Sequence, residues 1–302
     1  MVPWGSRASC GCVWVARPIK LIAMNPLVST SWLAGRLHDP GVVILDATLP
    51  PVGVTPPVDT RARYLAKHIP GAIFFDIEEL SDHSNSLPHM LPPPEVFSRS
   101  LSALGIGDGM DIIIYEQEGV YSAPRAWWML KSSGSQQVYL LDGGLRAWIE
   151  AGLPTDSGAV DRAPASFHAT LDQDAVKDFS QVQQMIAAHG QILDARSGGR
   201  FTGVLPEPRA GIRSGHMPGA TSVPFTELVE EGRLKSAEEL RQIFAAKGVD
   251  MKQPITTTCG SGVTAAVIAL GLEVAGARQV SLYDGSWAEY GAHPEAVIEK
   301  TD

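Results

Sequence analysis

The chain has 302 residues, 44% of them hydrophobic, and a formal net charge of −9. That length can bury two cores of ordinary domain size. The acidic balance argues against nonspecific nucleic-acid binding, but it leaves room for a small anion gripped by local arginines.

Residues 1–24 read as an N-terminal extension, expected to be disordered. Residues 1–23 carry Arg7, Arg17 and Lys20 and no acid, which leaves −12 on the rest against −9 for the whole. Three readings stay open for them: an organellar targeting peptide, a disordered tail, or a translation start placed upstream of Met24. Arg17 and Lys20 interrupt the apolar stretch, which argues against a secretory signal, and no uninterrupted apolar run is long enough to span a membrane. The three cysteines are Cys10, Cys12 and Cys259. No even set spans the chain, so no disulfide framework is expected and a reducing compartment is. The cytoplasm is the expected location, or the mitochondrion if residues 1–23 are a targeting peptide. Cys10 and Cys12 are too few and too close together to make a zinc site alone. No metal and no cofactor is expected.

From residue 25 onward the chain says nearly the same thing twice. Val43-Ile44-Leu45-Asp46-Ala47-Thr48 matches Gln191-Ile192-Leu193-Asp194-Ala195-Arg196, and His68-Ile69-Pro70-Gly71-Ala72 matches His216-Met217-Pro218-Gly219-Ala220, both at an offset of 148. Leu141-Asp142-Gly143-Gly144 then matches Tyr283-Asp284-Gly285-Ser286. Each copy runs strand, His-x-Pro-Gly loop, helices, strand, helix, and a strand ending in Asp-Gly. Alternating strands and helices predict an α/β fold with a mainly parallel sheet flanked by helices. A period this long means two tandem domains, not a solenoid. We expect them at 25–152 and 167–302, joined by a Pro-, Ser- and Gly-containing linker over 153–166. Asp46 and Asp194, at strand ends, are expected to bond nearby backbone N–H groups. Trp127 and Trp128 read as core residues of a helix.

The copies differ at one loop. In the second, the β-branched stretch Pro254-Ile255-Thr256-Thr257-Thr258 reads as a buried strand and Ala265–Leu270 as a helix. Between them lies Cys259-Gly260-Ser261-Gly262-Val263-Thr264. Two glycines let the backbone curl so that successive N–H groups converge on one anion. The helix N-terminus adds partial positive charge. Both favour a thiolate, the nucleophilic form of cysteine. The first copy has the acidic stretch Tyr115-Glu116-Gln117-Glu118-Gly119 there, which cannot replace a thiolate. The first domain is therefore expected to be noncatalytic and to close the other half of a cleft.

These motifs together resemble the two-domain sulfurtransferases of the rhodanese superfamily, and most closely the branch whose donor is 3-mercaptopyruvate. The resemblance covers roughly residues 25 to 298. It adds Tyr121-Ser122-Ala123-Pro124-Arg125, Gly199-Arg200-Phe201, Glu207-Pro208-Arg209 and Tyr283-Asp284-Gly285-Ser286-Trp287 to the matches above. It implies two tandem rhodanese-like domains and a sulfur transfer in two half-reactions. Cys259 takes sulfur from a small-molecule donor as a persulfide and releases pyruvate. A thiol acceptor, either a thioredoxin-like protein or a low-molecular-weight thiol, or cyanide then removes the outer sulfur. It also implies that Arg200 and Arg209 bind the donor carboxylate, with Gly260, Gly262, Val263 and Thr264 completing the substrate cradle. Further, it suggests a proton relay of Ser261, His68 and Asp59, with Asp46 or Asp76 as alternatives to Asp59. Because His216 occupies the same turn in the second copy, His68 has a purely structural reading as well.

Three rival readings compete. A cysteine phosphatase needs an arginine six positions after the cysteine, and Ala265 stands there. A thiosulfate sulfurtransferase differs only in donor. Basic residues after the cysteine suit that dianion, whereas Gly260 and Ser261 are neutral. A noncatalytic binding module suits the first copy but not the intact Cys259 loop.

Overall fold

The computed structural model describes residues 25–52 and 54–301. The expectations for residues 1–24, Cys10 and Cys12 among them, lie outside the described residues.

The first half runs β1 (Leu27–Val28), α1 (Thr30–Ala34), β2 (Val42–Asp46), α2 (Thr60–Ala66), β3 (Ile73–Phe74), α3 (Pro94–Ala103), β4 (Asp111–Tyr115), α4 (Ala123–Ser132), β5 (Val138–Leu141) and α5 (Gly144–Glu150). The second runs β6 (Val176–Lys177), α6 (Phe179–Ala187), β7 (Gln191–Asp194), α7 (Gly198–Thr202), β8 (Thr221–Ser222), a 3-10 turn (Phe225–Leu228), β9 (Val229–Glu230), β10 (Arg233–Leu234), α8 (Ala237–Ala246), β11 (Ile255–Thr258), α9 (Ala265–Ala275), β12 (Val280–Tyr283) and α10 (Ser286–Tyr290). The sheets are ordered β1-β5-β4-β2-β3 and β6-β12-β11-β7-β8. Every pairing within them is parallel. The duplication read from the motifs is thus a duplication of topology. The second half adds the 3-10 turn and the antiparallel β9–β10 hairpin.

Helices cover both faces of each sheet, which is why the inner strands are apolar runs such as Val42-Val43-Ile44-Leu45 rather than alternating patterns. β11 is the exception. Its threonines are buried, and Thr256 Oγ1 offsets the cost by sharing a 2.7 Å hydrogen bond with Ser281 Oγ on β12. The outer faces carry separate small cores, around Trp148 in the first half and around Trp287 in the second. The inner faces merge into one continuous core that includes α4 and α9. Trp127 and Trp128 are buried within it on α4. The Lys131–Glu273 ion pair bridges the two helices at the edge of this contact.

The segment expected as a linker is laid along the first half. The Asp156 N–H donates to the His68 carbonyl at 2.9 Å, the Trp148 indole donates to the Pro154 carbonyl at 2.6 Å, and Ala165 N–H donates to the Ser102 carbonyl at 2.9 Å. Residues 167–175, expected to open the second domain, also pack on the first: Phe167 is buried, and Thr170 and Asp172 donate to the Ser133 and Ser132 carbonyls at 3.0 and 2.7 Å. The second sheet starts at Val176.

Candidate active site

Cys259 directly follows β11, whose last residue Thr258 pairs with Asp194 of β7. It is the only free cysteine among the described residues and is 2% exposed. Ser286 holds its backbone: Cys259 N–H donates to Ser286 Oγ at 3.2 Å, and Trp287 N–H donates to the Cys259 carbonyl at 2.9 Å. Ser286 adopts φ +49° just after Asp284-Gly285. The Asp-Gly motif therefore serves to dock the cysteine strand. Past Cys259 the chain turns through Gly262 at φ +78° and enters α9 at Ala265. Among the described residues, no acceptor takes the backbone N–H groups of Gly260, Ser261, Gly262, Val263 or Thr264. The loop is thus a set of unspent donors beside the sulfur, at a helix N-terminus.

A cavity of about 340 Å³ opens over this loop. The second half supplies Cys259, Gly260, Ser261, Val263, Thr264, Arg200 and Arg209. The first half closes it with Pro51, Val52 and Tyr121. The Tyr121 ring lies 5.9 Å from that of Phe225, so the wall of the cavity crosses the domain boundary. Burial first, and then the Cys259 sulfur, push the Tyr121 phenol up, which keeps it protonated at neutral pH.

The two arginines expected to bind substrate are not equivalent. Arg200 donates to Glu207 through Nε at 3.2 Å and Nη2 at 2.5 Å. Glu207 is held in turn by the fully buried Arg196, itself paired with Asp194 and lying 4.0 Å over the Trp287 ring. A Cβ at Gly260 would sit 2.9 Å from Arg200 Nη2, so the missing side chain is what lets Arg200 lie against the loop. Arg209 makes no hydrogen bond or ion pair among the described residues, and its guanidinium is available for a ligand.

The expected relay is not assembled. Ser261 lines the cavity, but its hydroxyl makes no hydrogen bond among the described residues. His68 does not line the cavity. It is fully buried, its Nδ1 donates to the Tyr64 carbonyl at 2.9 Å, and it stacks on the Tyr64 ring at 4.5 Å. His216 does the same in the other half, with Nδ1 donating to the Phe201 carbonyl at 2.9 Å and the ring stacked on Phe201 at 3.9 Å. Both imidazoles therefore pin the His-x-Pro-Gly turn, and the structural reading of His68 is the one its contacts support. Asp59 is exposed and caps α2, accepting from Ala62 N–H at 2.8 Å. The alternatives are also engaged elsewhere. Asp46 accepts from Thr48 N–H at 3.2 Å and Asp76 from Glu78 N–H at 3.1 Å. Asp194 accepts from Arg196 N–H at 2.9 Å, the backbone anchoring expected of it and of Asp46.

In the first half, the counterpart of Cys259 is Glu116. It follows Tyr115 of β4, which pairs with Asp46 as Thr258 pairs with Asp194. Gly119 at φ +81° repeats Gly262. Here the donors at the end of the loop are occupied: Tyr121, Ser122 and Ala123 N–H groups donate to the Glu116 carboxylate at 2.6, 3.1 and 3.2 Å. The larger cavity outside this loop, about 510 Å³ and lined by Arg63, Lys67 and Gln117–Gly119, has no cysteine in its lining.

The model of the rhodanese-like domain matches the chain at residues 29–151 and again at 178–293. The chain belongs to the rhodanese-like family. It is similar to the 3-mercaptopyruvate sulfurtransferase of Escherichia coli (strain K12), at 44% identity over 90% of this chain and 97% of the relative. It is also similar to the thiosulfate sulfurtransferase of Bos taurus, at 40% identity over 92% of this chain and 97% of that one. The crystal structure of SseA from Escherichia coli, described as a 3-mercaptopyruvate sulfotransferase, superposes with a TM-score of 0.81 at 43% identity, covering 87% of this chain and 99% of that one. Both halves of the chain thus carry the family fold, and only one carries a cysteine in its loop.

Proposed function

We propose that the protein is a 3-mercaptopyruvate sulfurtransferase whose nucleophile is Cys259. The observation that carries the choice of donor is the neutral pair Gly260–Ser261 beside a free Arg209. A compact dianion such as thiosulfate asks for positive charge next to the sulfur. A donor with a carboxylate set back from its thiol asks for a guanidinium across the cavity. The same geometry leaves thiosulfate as the weaker donor.

In the first half-reaction the Cys259 thiolate attacks the donor sulfur. An S–S bond forms, the C–S bond breaks, and its electron pair leaves on the enolate of pyruvate. A proton then converts the enolate to pyruvate. The unspent N–H groups of residues 260–264 stabilise negative charge on the cysteine before attack and on the persulfide after it. Tyr121, Ser197, Ser261 and Thr264 bring hydroxyl groups to the cavity lining, and the Ser261 hydroxyl, without a partner among the described residues, is free to donate to the leaving enolate. In the second half-reaction a thiol, of a thioredoxin-like protein or a small molecule, takes the outer sulfur, and Cys259 returns to the thiolate. No helix among the described residues is long and apolar enough to cross a membrane. The cytoplasm is the proposed site of action.

The test is a donor comparison: pyruvate release from 3-mercaptopyruvate against thiocyanate formation from thiosulfate plus cyanide, in wild type and Cys259→Ser. We expect a larger kcat/KM for mercaptopyruvate, a one-sulfur mass gain on the Cys259 peptide after donor alone, and no turnover in the serine variant. A higher kcat/KM for thiosulfate would overturn the donor assignment. Turnover by folded Cys259→Ser would overturn the nucleophile.

A further inference from the structure

We propose that Arg125, on the noncatalytic half, is a positioning residue that sets the shape of the Cys259 loop. The proposal rests on Cys259 being the nucleophile. Arg125 is fully buried at the N-terminus of α4, its guanidinium 4.5 Å from the Trp128 ring centroid. The side chain crosses the domain boundary. Nη2 pairs with Asp284 Oδ1 at 2.8 Å and also donates to the His89 carbonyl, while Nη1 donates to the Gly262 carbonyl at 3.5 Å. The other oxygen of Asp284 accepts from Leu91 N–H at 2.7 Å, a second bond from the first half. Asp284 itself belongs to the Asp-Gly motif that leads to Ser286, the residue holding Cys259 N–H.

The contact with Gly262 has a geometric consequence. In a trans peptide the carbonyl and the following N–H point in opposite directions. Drawing the Gly262 carbonyl toward Arg125 therefore turns the Val263 N–H away from Arg125. The cavity lining agrees: Ser261 and Val263 line it and Gly262 does not. Gly262 also fits this position sterically, since a Cβ there would lie 2.8 Å from Arg125 Nη1 and 3.2 Å from the Asp284 carbonyl oxygen. A buried cation supplied by one domain thus fixes the orientation of a donor peptide in the other. The equivalent loop in the first half has no nucleophile to orient, because Glu116 fills it from within.

The test compares Arg125→Lys and Arg125→Gln with Lys131→Ala in the full chain. Lysine keeps the charge for Asp284 but cannot span three acceptors from one planar head. Glutamine keeps an amide donor without the charge. Lys131 sits on the same helix and makes its own cross-domain pair with Glu273, away from the loop. The readouts are thermal midpoint, kcat and KM for 3-mercaptopyruvate, and the rate at which iodoacetamide labels the Cys259 peptide. In folded Arg125 variants we expect kcat to fall ten- to a hundredfold, the scale of a misplacement of about 1 Å. KM should stay within about threefold, because Arg209 is untouched, and Cys259 labelling should slow in parallel. Lys131→Ala should lower the midpoint and leave kcat within about twofold. Wild-type kcat and labelling in a folded Arg125 variant would overturn the proposal. So would an equal loss in Lys131→Ala, or failure of both Arg125 variants to fold, since each makes Arg125 a residue of the interface alone. A wild-type protein inert toward mercaptopyruvate would instead remove the proposed donor, and the labelling comparison would still decide the role of Arg125.

Discussion

Arg200 and Arg209 stand in matching sequence motifs, but their partners separate them. Arg209 has no pair to lose, so Arg209→Ala should remove a charge-assisted contact to substrate at little cost to the fold. A loss of about 1.5–3 kcal/mol in transition-state binding corresponds to roughly ten- to a hundredfold in kcat/KM. Arg200→Ala should cost both activity and stability, because it leaves one oxygen of a buried Glu207 without its partner while Arg196 keeps the other. Parallel measurements of kcat/KM with mercaptopyruvate and of the urea midpoint check this. Equal stability losses in the two variants, or unchanged kcat/KM in Arg209→Ala, would contradict it. The motif Glu-Pro-Arg was visible in the sequence, but which of its charges faces inward was not, because that depends on Arg196 arriving from β7.

At the scale of the element, one strand–loop–helix unit is used twice with opposite fillings. In the second half its donors lie beside the cavity, and in the first those at the loop's end close on Glu116. Burial pushes the Glu116 carboxyl up to about 7, against the three N–H bonds that favour its ionised form. The unfolded chain gives up this proton near 4.5, while the folded chain keeps it until about 7. Between those values the folded state binds more protons, so this group favours folding most below pH 4.5. That contribution is lost as the pH rises to about 7 and stays lost above it. The difference is on the order of 3 kcal/mol. Relative to Glu116→Gln, wild type should therefore lose stability between pH 4.5 and 7 and stay level above. Urea midpoints across that range decide the matter, and parallel curves for the two proteins would refute it.

For the molecule as a whole, the two halves share their largest core. α9 is buried along almost its entire length, with Ala265 through Leu272 all buried, and α4 is one of the surfaces it packs on. Separating the halves would expose this apolar face to water, which is unfavourable in proportion to the area uncovered. Residues 167–302 expressed alone should show no cooperative unfolding transition and no turnover, in contrast to the full chain. A soluble, cooperatively folding fragment that releases pyruvate would show that the domains are independent.

The repeated motifs determined the two tandem, mainly parallel sheets from sequence alone, while the strand order came from the structure. Two copies of strand, His-x-Pro-Gly turn and Asp-Gly strand end can form two parallel sheets, because apolar runs and turn residues are local instructions. The Cys259 loop was legible for the same reason: its glycines, its strand and its helix are contiguous. What crosses between segments was not legible. His68 is a turn pin because Tyr64 offers it a carbonyl and a ring, and neither fact follows from the motif. Asp59 is a helix cap because its neighbour Ala62 presents an N–H. Tyr121, Val52 and Arg125 reach the site only because α4 packs on α9 and brings one domain's residues against the other's loop. The chain encodes such contacts only through the shape of the assembled core, so tertiary structure alone decided them.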